Sequence, residues 1–132
     1  MNNTDYSAIL NDSLQRCLAN ERFISIFYEL FLDTSDEIRE KFKNSDFERQ
    51  INMMQKSLNT IISVSESNWE SDKFLSEMAK KHKQLDIKPE HYELWENSLL
   101  ATVAQCDQQY NEEICEAWKH ILHRGIEFMQ LY

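Results

Sequence analysis

Apolar residues recur every three or four positions along most of this chain, which is the spacing of one face of an α-helix. The clearest stripe contains Phe47, Ile51, Met54, Leu58 and Ile61. Read in this way, the pattern predicts about seven helices separated by short polar gaps. Their predicted ranges are Asp5–Leu18, Glu21–Leu32, Asp36–Phe42, Phe47–Val64, Ser71–Gln84, Pro89–Cys106 and Asn111–Met129.

The residues between these stripes support the predicted helix ends. Asp33, Thr34 and Ser35 form a break that can cap the third helix, and the polar stretch Ser65–Asn68 precedes the fifth. Pro89 lies at a first helical position, where proline is favoured. The chain contains one glycine and one proline, so hairpin turns and glycine-rich phosphate loops are excluded. We therefore predict an all-α fold.

Size and charge limit the class of protein further. The 132 residues suit one domain spanning positions 1–132, and the formal net charge of -9 argues against nucleic acid and anionic membrane as partners. No apolar run is long enough to cross a membrane, and the N-terminus does not resemble a secretory signal, which favours a cytoplasmic location. Cys17, Cys106 and Cys115 lack metal-ligand spacing and are predicted to be reduced thiols.

Histidine carries the candidate chemistry. His82 continues the apolar stripe that contains Phe74, Leu75, Met78 and Ala79, so its imidazole is predicted to face the core. A buried imidazole needs partners for its ring nitrogens, and on the pattern alone a hydrogen-bonded core histidine is the commoner case than a metal ligand. The other three histidines have polar neighbours and are predicted to face solvent; they are His91, His120 and His123.

Longer segments carry a family resemblance. MAKKHKQLDIKPEHYELWENSLL at residues 78–100 resembles the proximal region of bacterial globins, FYELFLDTSDEIREKF at 27–42 resembles their second and third helices, and AWKHIL at 117–122 resembles the start of their last helix. The chain is thus similar, over essentially its whole length, to bacterial single-domain globins and to the globin domains of flavohaemoglobins and globin sensors. The resemblance implies a globin fold around haem b, which is iron protoporphyrin IX.

On the proximal side, the resemblance makes His82 the iron ligand. It places Ile87, Tyr92 and Trp95 in the proximal wall, with Leu99 deeper, and it directs the Tyr92 hydroxyl toward His82. In related flavohaemoglobins an acidic residue near the end of the last helix completes this network, and this sequence shows no clear counterpart.

On the distal side, the resemblance places Tyr28 and Gln50 above the iron, Met54 one turn beyond Gln50, and Phe42 against the haem face. Alternatives remain for each polar residue, since the Tyr28 hydroxyl can reach the surface and Gln50 can be a solvated flank of its helix. Met54 and its neighbour Met53 are commonly core filler, although a thioether can also ligate iron.

Three functions follow from these expectations. The leading one is binding of a diatomic gas (oxygen, nitric oxide or carbon monoxide) in sensing or detoxification. The second is nitric-oxide dioxygenase activity, which requires an external reductase. The third is a haem-free globin-like interaction module with a signalling partner, which loss of the proximal histidine would favour. A homodimer through the last two helices, with Trp118 or Tyr110 on their outer faces, is also compatible with the sequence.

Overall fold

The computed structural model describes residues 5–64 and 72–131. The predicted polar stretch Ser65–Asn68, the predicted helix start at Ser71 and the terminal Tyr132 lie outside these residues. The described ranges contain seven α-helices and no strand, which confirms the all-α prediction. The helices are α1 (Tyr6–Leu18), α2 (Phe23–Leu32), α3 (Asp36–Phe42), α4 (Phe47–Val64), α5 (Lys73–Gln84), α6 (Pro89–Cys106) and α7 (Glu112–Met129).

Side-chain caps explain where four of the helices begin. Each capping side chain accepts a hydrogen bond from the backbone N–H three residues ahead, at 2.9–3.1 Å. The four caps are Asp5, Ser35, Asp72 and Asn111. A cap satisfies a donor that the first helical turn leaves unpaired. The predicted starts at Asp5 and Asn111 are therefore cap positions, and each helix begins one residue later.

The starts of α2 and α6 follow from local backbone chemistry. Asn20 accepts the Arg22 N–H on its side chain at 2.9 Å and the Phe23 N–H on its carbonyl at 3.0 Å. This turn delays α2 to Phe23, two residues after the predicted Glu21. In α6, Lys88 is the N-cap and Pro89 takes the first helical position, as predicted.

The core lies where α6 contacts α1, α2 and α7, while α7 also packs against α1 and α5. Its largest fully buried side chains come from all seven helices and from the apolar stripes predicted above. They include Leu10, Leu14, Phe23, Phe27, Ile38, Leu58, Leu75, Leu99, Trp118, Ile121 and Leu122. Burial of these stripes supplies the main driving force for the bundle.

A buried polar network joins α1 to α7 and to the end of α6. Asp107 accepts hydrogen bonds from Ser13 Oγ at 2.6 Å and from Arg16 Nε at 2.6 Å, and Ser13 Oγ in turn accepts from Trp118 Nε1 at 2.9 Å. Trp118 is fully buried, so its predicted place on an outer dimer face is wrong. Tyr110 is partly buried and packs against the core.

The three cysteines are free thiols, as predicted; Cys17 and Cys106 are buried and Cys115 is partly buried. Burial raises the pKa of the Cys17 thiol to about 12, so this side chain stays protonated. Among the described residues, none of the helices is both long and apolar enough to span a membrane.

Candidate functional site

The best-defined contact in the predicted site joins α5 to α6. Nδ1 of His82, in the last turn of α5, lies 3.2 Å from the Tyr92 hydroxyl in the first turn of α6. This is the contact that the resemblance predicted. Among the described residues, none hydrogen bonds to Nε2 of His82. Tyr92 thus contacts the imidazole at one of its two ring nitrogens.

Both groups are neutral in this environment. Burial, with a smaller contribution from the charge of Lys81, lowers the pKa of His82 below its ordinary value of 6.5. Burial raises the pKa of Tyr92 to about 12. A neutral imidazole can keep its proton on Nδ1, donate it to the Tyr92 oxygen and offer the Nε2 lone pair to a metal.

The other predicted proximal residues differ in burial. Ile87 and Trp95 are partly buried and pack against the core, whereas Leu99 is fully buried within it. Ile87 is also tied to α5, because its N–H donates to the His82 carbonyl at 3.0 Å. Leu85, just after α5, leaves 52% of its surface exposed.

On the distal side, the structure brings Tyr28 of α2 to Gln50 of α4. The Tyr28 hydroxyl donates to the main-chain carbonyl of Gln50 at 3.2 Å, and the Tyr28 side chain is buried. The alternative in which this hydroxyl extends into solvent is thus wrong. Burial raises the pKa of Tyr28 to about 12, so the phenol keeps its proton for hydrogen bonding.

Two phenylalanines enclose the Tyr28 ring. The centroid of Phe42, at the end of α3, lies 5.9 Å from that of Tyr28, and Phe47, at the start of α4, lies 5.7 Å away. Both rings meet Tyr28 edge to face, an arrangement that is favourable for aromatic pairs. Phe42 was predicted for this site. Phe47 was predicted only as a core residue of α4, and 36% of it is exposed.

The two methionines of α4 differ in their burial. Met54 is buried in the core, and Met53 beside it is 40% exposed. Gln50, one turn before Met54, is partly buried. Met54 thus lies on the core side of α4, and the predicted position of Gln50 and Met54 beside a haem stays a prediction.

Phe27 links the two groups of candidate residues. Its ring lies 5.0 Å from Tyr28 on one side and 6.2 Å from Trp95 of α6 on the other. Trp95 lies nearly one helical turn beyond Tyr92, which contacts His82. An aromatic cluster thus runs from the distal residues to the helix that carries the proximal tyrosine. Sequence reasoning placed Phe27 on the apolar side of its helix without assigning it this role.

His91 is the clearest error of the sequence analysis, because it was predicted to face solvent and is only 3% exposed. Its Nδ1 accepts the Lys88 N–H at 2.9 Å, and its Nε2 lies 2.9 Å from Glu37 Oε1 on α3. The polar residues next to His91 in the sequence gave no indication of its partner Glu37, which lies 54 positions earlier. His120 and His123 are exposed, as predicted.

Helix α6 also carries a buried carboxylate, Glu96. Glu96 places Oε1 at 2.8 Å and Oε2 at 3.0 Å from Nε2 of the exposed His123, and only Oε2 is aligned to accept its hydrogen. Within the described residues, Oε1 has no hydrogen-bond partner. Those residues also include no group of three or more histidine, cysteine or acidic side chains able to hold a metal ion.

Within the described residues, the seven helices and their packing around α6 are typical of the all-α folds built from helices crossing at steep angles. Residues 25–128 match the family model described as Globin, and the chain belongs to the globin family. Members of this family generally bind haem and diatomic gases.

A solved structure supports the same assignment. The chain is similar to a Pseudomonas aeruginosa protein whose crystal structure is described as structurally highly homologous to a human haemoglobin. The two share 31% sequence identity, the TM-score is 0.91, and the match covers 97% of this chain and 98% of that one. A search of curated proteins found no match.

Proposed function

We propose that this globin holds haem b through His82 and binds oxygen or another diatomic gas. The observation that carries the proposal is the state of the His82 ring, with Tyr92 at Nδ1 and Nε2 without a partner among the described residues. Haem, when bound, would supply an iron able to bind both an imidazole nitrogen and a diatomic gas. All other contacts in the proposed site are made by side chains of this protein.

The residues present fit such a group. A neutral imidazole is a common axial ligand of haem iron, and the pKa of His82 is lowered in the direction that keeps the ring neutral. Partly buried apolar side chains from three different parts of the chain suit the apolar faces of a porphyrin: Phe42, Ile87 and Trp95. We assign these three to the haem pocket, and Leu99 and Met54 to the layer behind it.

Tyr28 and Gln50 are proposed to face the gas ligand. The Tyr28 phenol has one proton to donate, and in the structure it goes to the Gln50 carbonyl. A hydrogen bond to a gas ligand replaces that contact, so its net effect is smaller than the full strength of a new hydrogen bond. Oxygen accepts such a bond better than carbon monoxide does, which favours retention of oxygen. Retention suits sensing or detoxification better than rapid delivery.

The test is the visible absorption spectrum of protein loaded with haem, comparing wild type with His82→Ala. We expect wild type to bind one haem per chain and to change its ferrous spectrum when carbon monoxide is added. His82→Ala is expected to lose stable haem because the iron loses its protein ligand. His120→Ala is the matched control, since His120 is an exposed histidine whose ring packs on Tyr6.

Two outcomes contradict the proposal. One is wild-type protein that binds haem no better than serum albumin does. The other is His82→Ala that retains haem as tightly as His120→Ala does.

A further inference from the structure

A buried histidine connects α3 to the start of α6, one residue before the tyrosine that contacts His82. His91 accepts the Lys88 N–H on Nδ1 at 2.9 Å, so in the neutral ring the hydrogen lies on Nε2. That Nε2–H donates to Glu37 Oε1 at 2.9 Å. Both ring nitrogens are thereby used, and the side chain is 3% exposed. His91 is held in one orientation by contacts on either side.

Helix α3 also contacts the short segment between α5 and α6 at two points. Lys41 Nζ donates a hydrogen bond to the Leu85 carbonyl at 2.9 Å. Glu37 Oε1, which accepts the hydrogen bond from His91, also lies 3.7 Å from Lys88 Nζ. The segment from Leu85 to Lys88 is the connection between α5 and α6. Helix α3 therefore contacts this connection at its beginning and its end.

The connection is in turn bonded to His82. Ile87 N–H donates to the His82 carbonyl at 3.0 Å, and Leu85 N–H donates to the Lys81 carbonyl at 3.0 Å. Asp86 between them has a φ of 57°, in the left-handed region where helices commonly end. Its N–H and that of Ile87 both bond back to the last turn of α5, which is the usual closing turn of a helix. The contacts from α3 lie on either side of this turn.

We propose that Glu37 and His91 are positioning residues for the proximal site. They fix the first turn of α6, and this turn places Tyr92, the residue after His91, with its hydroxyl on His82 Nδ1. The inference rests on the proposed role of His82. It adds that a carboxylate on α3 controls the orientation of His82. Among the described residues, the structure gives Glu37 no hydrogen bond or ion pair with His82 or Tyr92, so Glu37 acts through His91.

The contact between Glu37 and His91 also connects the distal and proximal parts of the proposed site. Helix α3 ends at Phe42, whose ring packs on Tyr28. Glu37 lies in the first turn of the same short helix. A shift of α3 thus affects the distal aromatic residues through Phe42 and the proximal histidine through Glu37.

The experiment compares Glu37→Ala, Glu37→Gln and Glu40→Ala. Glu37→Ala removes the acceptor of the His91 N–H, whereas Glu37→Gln keeps an amide oxygen for it. Glu40→Ala is the matched control, because Glu40 lies on the same helix and forms an exposed ion pair with Lys43. The first readout uses haem-free protein with nitrogen-labelled histidine, in which nuclear magnetic resonance reports the ring nitrogens of His82. Comparison with His82→Ala assigns the signal.

We expect Glu37→Ala to shift the His82 ring nitrogens toward the values of a freely exchanging imidazole. Glu37→Gln is expected to restore the wild-type values, and Glu40→Ala to leave them unchanged. In haem-loaded protein, the rate of haem transfer to a scavenger is expected to rise about threefold in Glu37→Ala, less than the roughly tenfold effect of removing a direct partner of a metal ligand, because Glu37 acts on His82 through the turn that carries Tyr92. The Gln variant should stay within about twofold of wild type, because it keeps the contact.

The inference is overturned when Glu37→Ala and Glu40→Ala give the same His82 nitrogen shifts and the same haem transfer rates. It is also overturned when Glu37→Gln fails to restore the shifts, because the contact with His91 is then not the cause. Failure of wild type to hold haem is a different result. It removes the proposed function, while the nitrogen shifts of haem-free protein still decide whether Glu37 positions His82.

Discussion

The Tyr92 hydroxyl lies 3.2 Å from Nδ1 of His82, across the connection between α5 and α6. Only one of the two neutral ring forms leaves Nε2 able to bind iron, and that form has its hydrogen on Nδ1. The Tyr92 oxygen can accept this hydrogen, which is the arrangement that the proposed function requires. Burial raises the pKa of Tyr92 to about 12, which keeps the phenol uncharged.

Substitution of this tyrosine tests its role directly. In Tyr92→Phe the ring remains and the oxygen is lost, so Nδ1–H of His82 loses its acceptor. We expect haem transfer to a scavenger to accelerate about tenfold, the low end of the range for loss of an outer partner of a metal ligand. The unfolding free energy of the haem-free protein should fall by about 1 kcal/mol, the net value of one hydrogen bond. Stopped-flow absorbance and urea unfolding measure the two effects.

Tyr110→Phe is the matched control, because Tyr110 is a partly buried tyrosine in the connection between α6 and α7. Equal haem transfer rates in the two variants would show that Tyr92 does not orient His82.

The distal tyrosine makes a separate prediction. Tyr28→Phe removes the only hydroxyl proton that this residue can donate, and we expect oxygen to dissociate about tenfold faster while carbon monoxide changes much less. Because the bond to the Gln50 carbonyl is lost as well, unfolding should become easier by about 1 kcal/mol. Flash photolysis and stopped-flow mixing give the gas rates. Tyr6→Phe, on α1, controls for loss of a hydroxyl elsewhere. Unchanged oxygen release in Tyr28→Phe would remove Tyr28 from the distal site.

The helices could be predicted because their cause is local. A stripe such as that from Phe47 to Ile61 repeats within α4 itself, and caps such as Ser35 act within four residues. The contact between Tyr92 and His82 also spans only ten positions. It was nevertheless available only from the resemblance, because periodicity indicates a helix face and not the partner of a side chain on it.

The wrong predictions concern side chains whose burial depends on residues far away in the sequence. Trp118 was predicted on an outer face, and its indole N–H donates to Ser13, a residue 105 positions earlier. His91 has polar neighbours in sequence, and its burial depends on Glu37 of another helix. Long-range hydrogen bonds of this kind allow polar atoms to be buried, and a local pattern contains no information about them.

The last prediction concerns stability rather than gas binding, and it follows from Asp107. Burial alone would raise the pKa of this carboxyl, but hydrogen bonds from Arg16, Ser13 and the Gln109 N–H, together with the charge of Arg16, hold it below the ordinary 3.8. A carboxyl with a lowered pKa in the folded state stabilises the fold at neutral pH. This contribution is lost as the pH falls through the folded pKa, because the unfolded chain takes up the proton more readily. The wild-type advantage over Asp107→Asn should therefore shrink with acid.

We expect Asp107→Asn to lose about 3 kcal/mol of unfolding free energy near neutral pH, because Arg16 is left without its carboxylate in a partly buried place. Urea unfolding between about pH 7 and about pH 3 measures how this difference changes. Glu29→Gln is the control: Glu29 pairs with Arg22, both side chains are about two-thirds exposed, and the loss should stay under about 1 kcal/mol. A difference between wild type and Asp107→Asn that is constant over this range would mean that the carboxylate charge is not what stabilises the junction of α1, α6 and α7. In that case the geometry of the hydrogen bonds to the Asp107 side chain, and not its charge, would account for the difference.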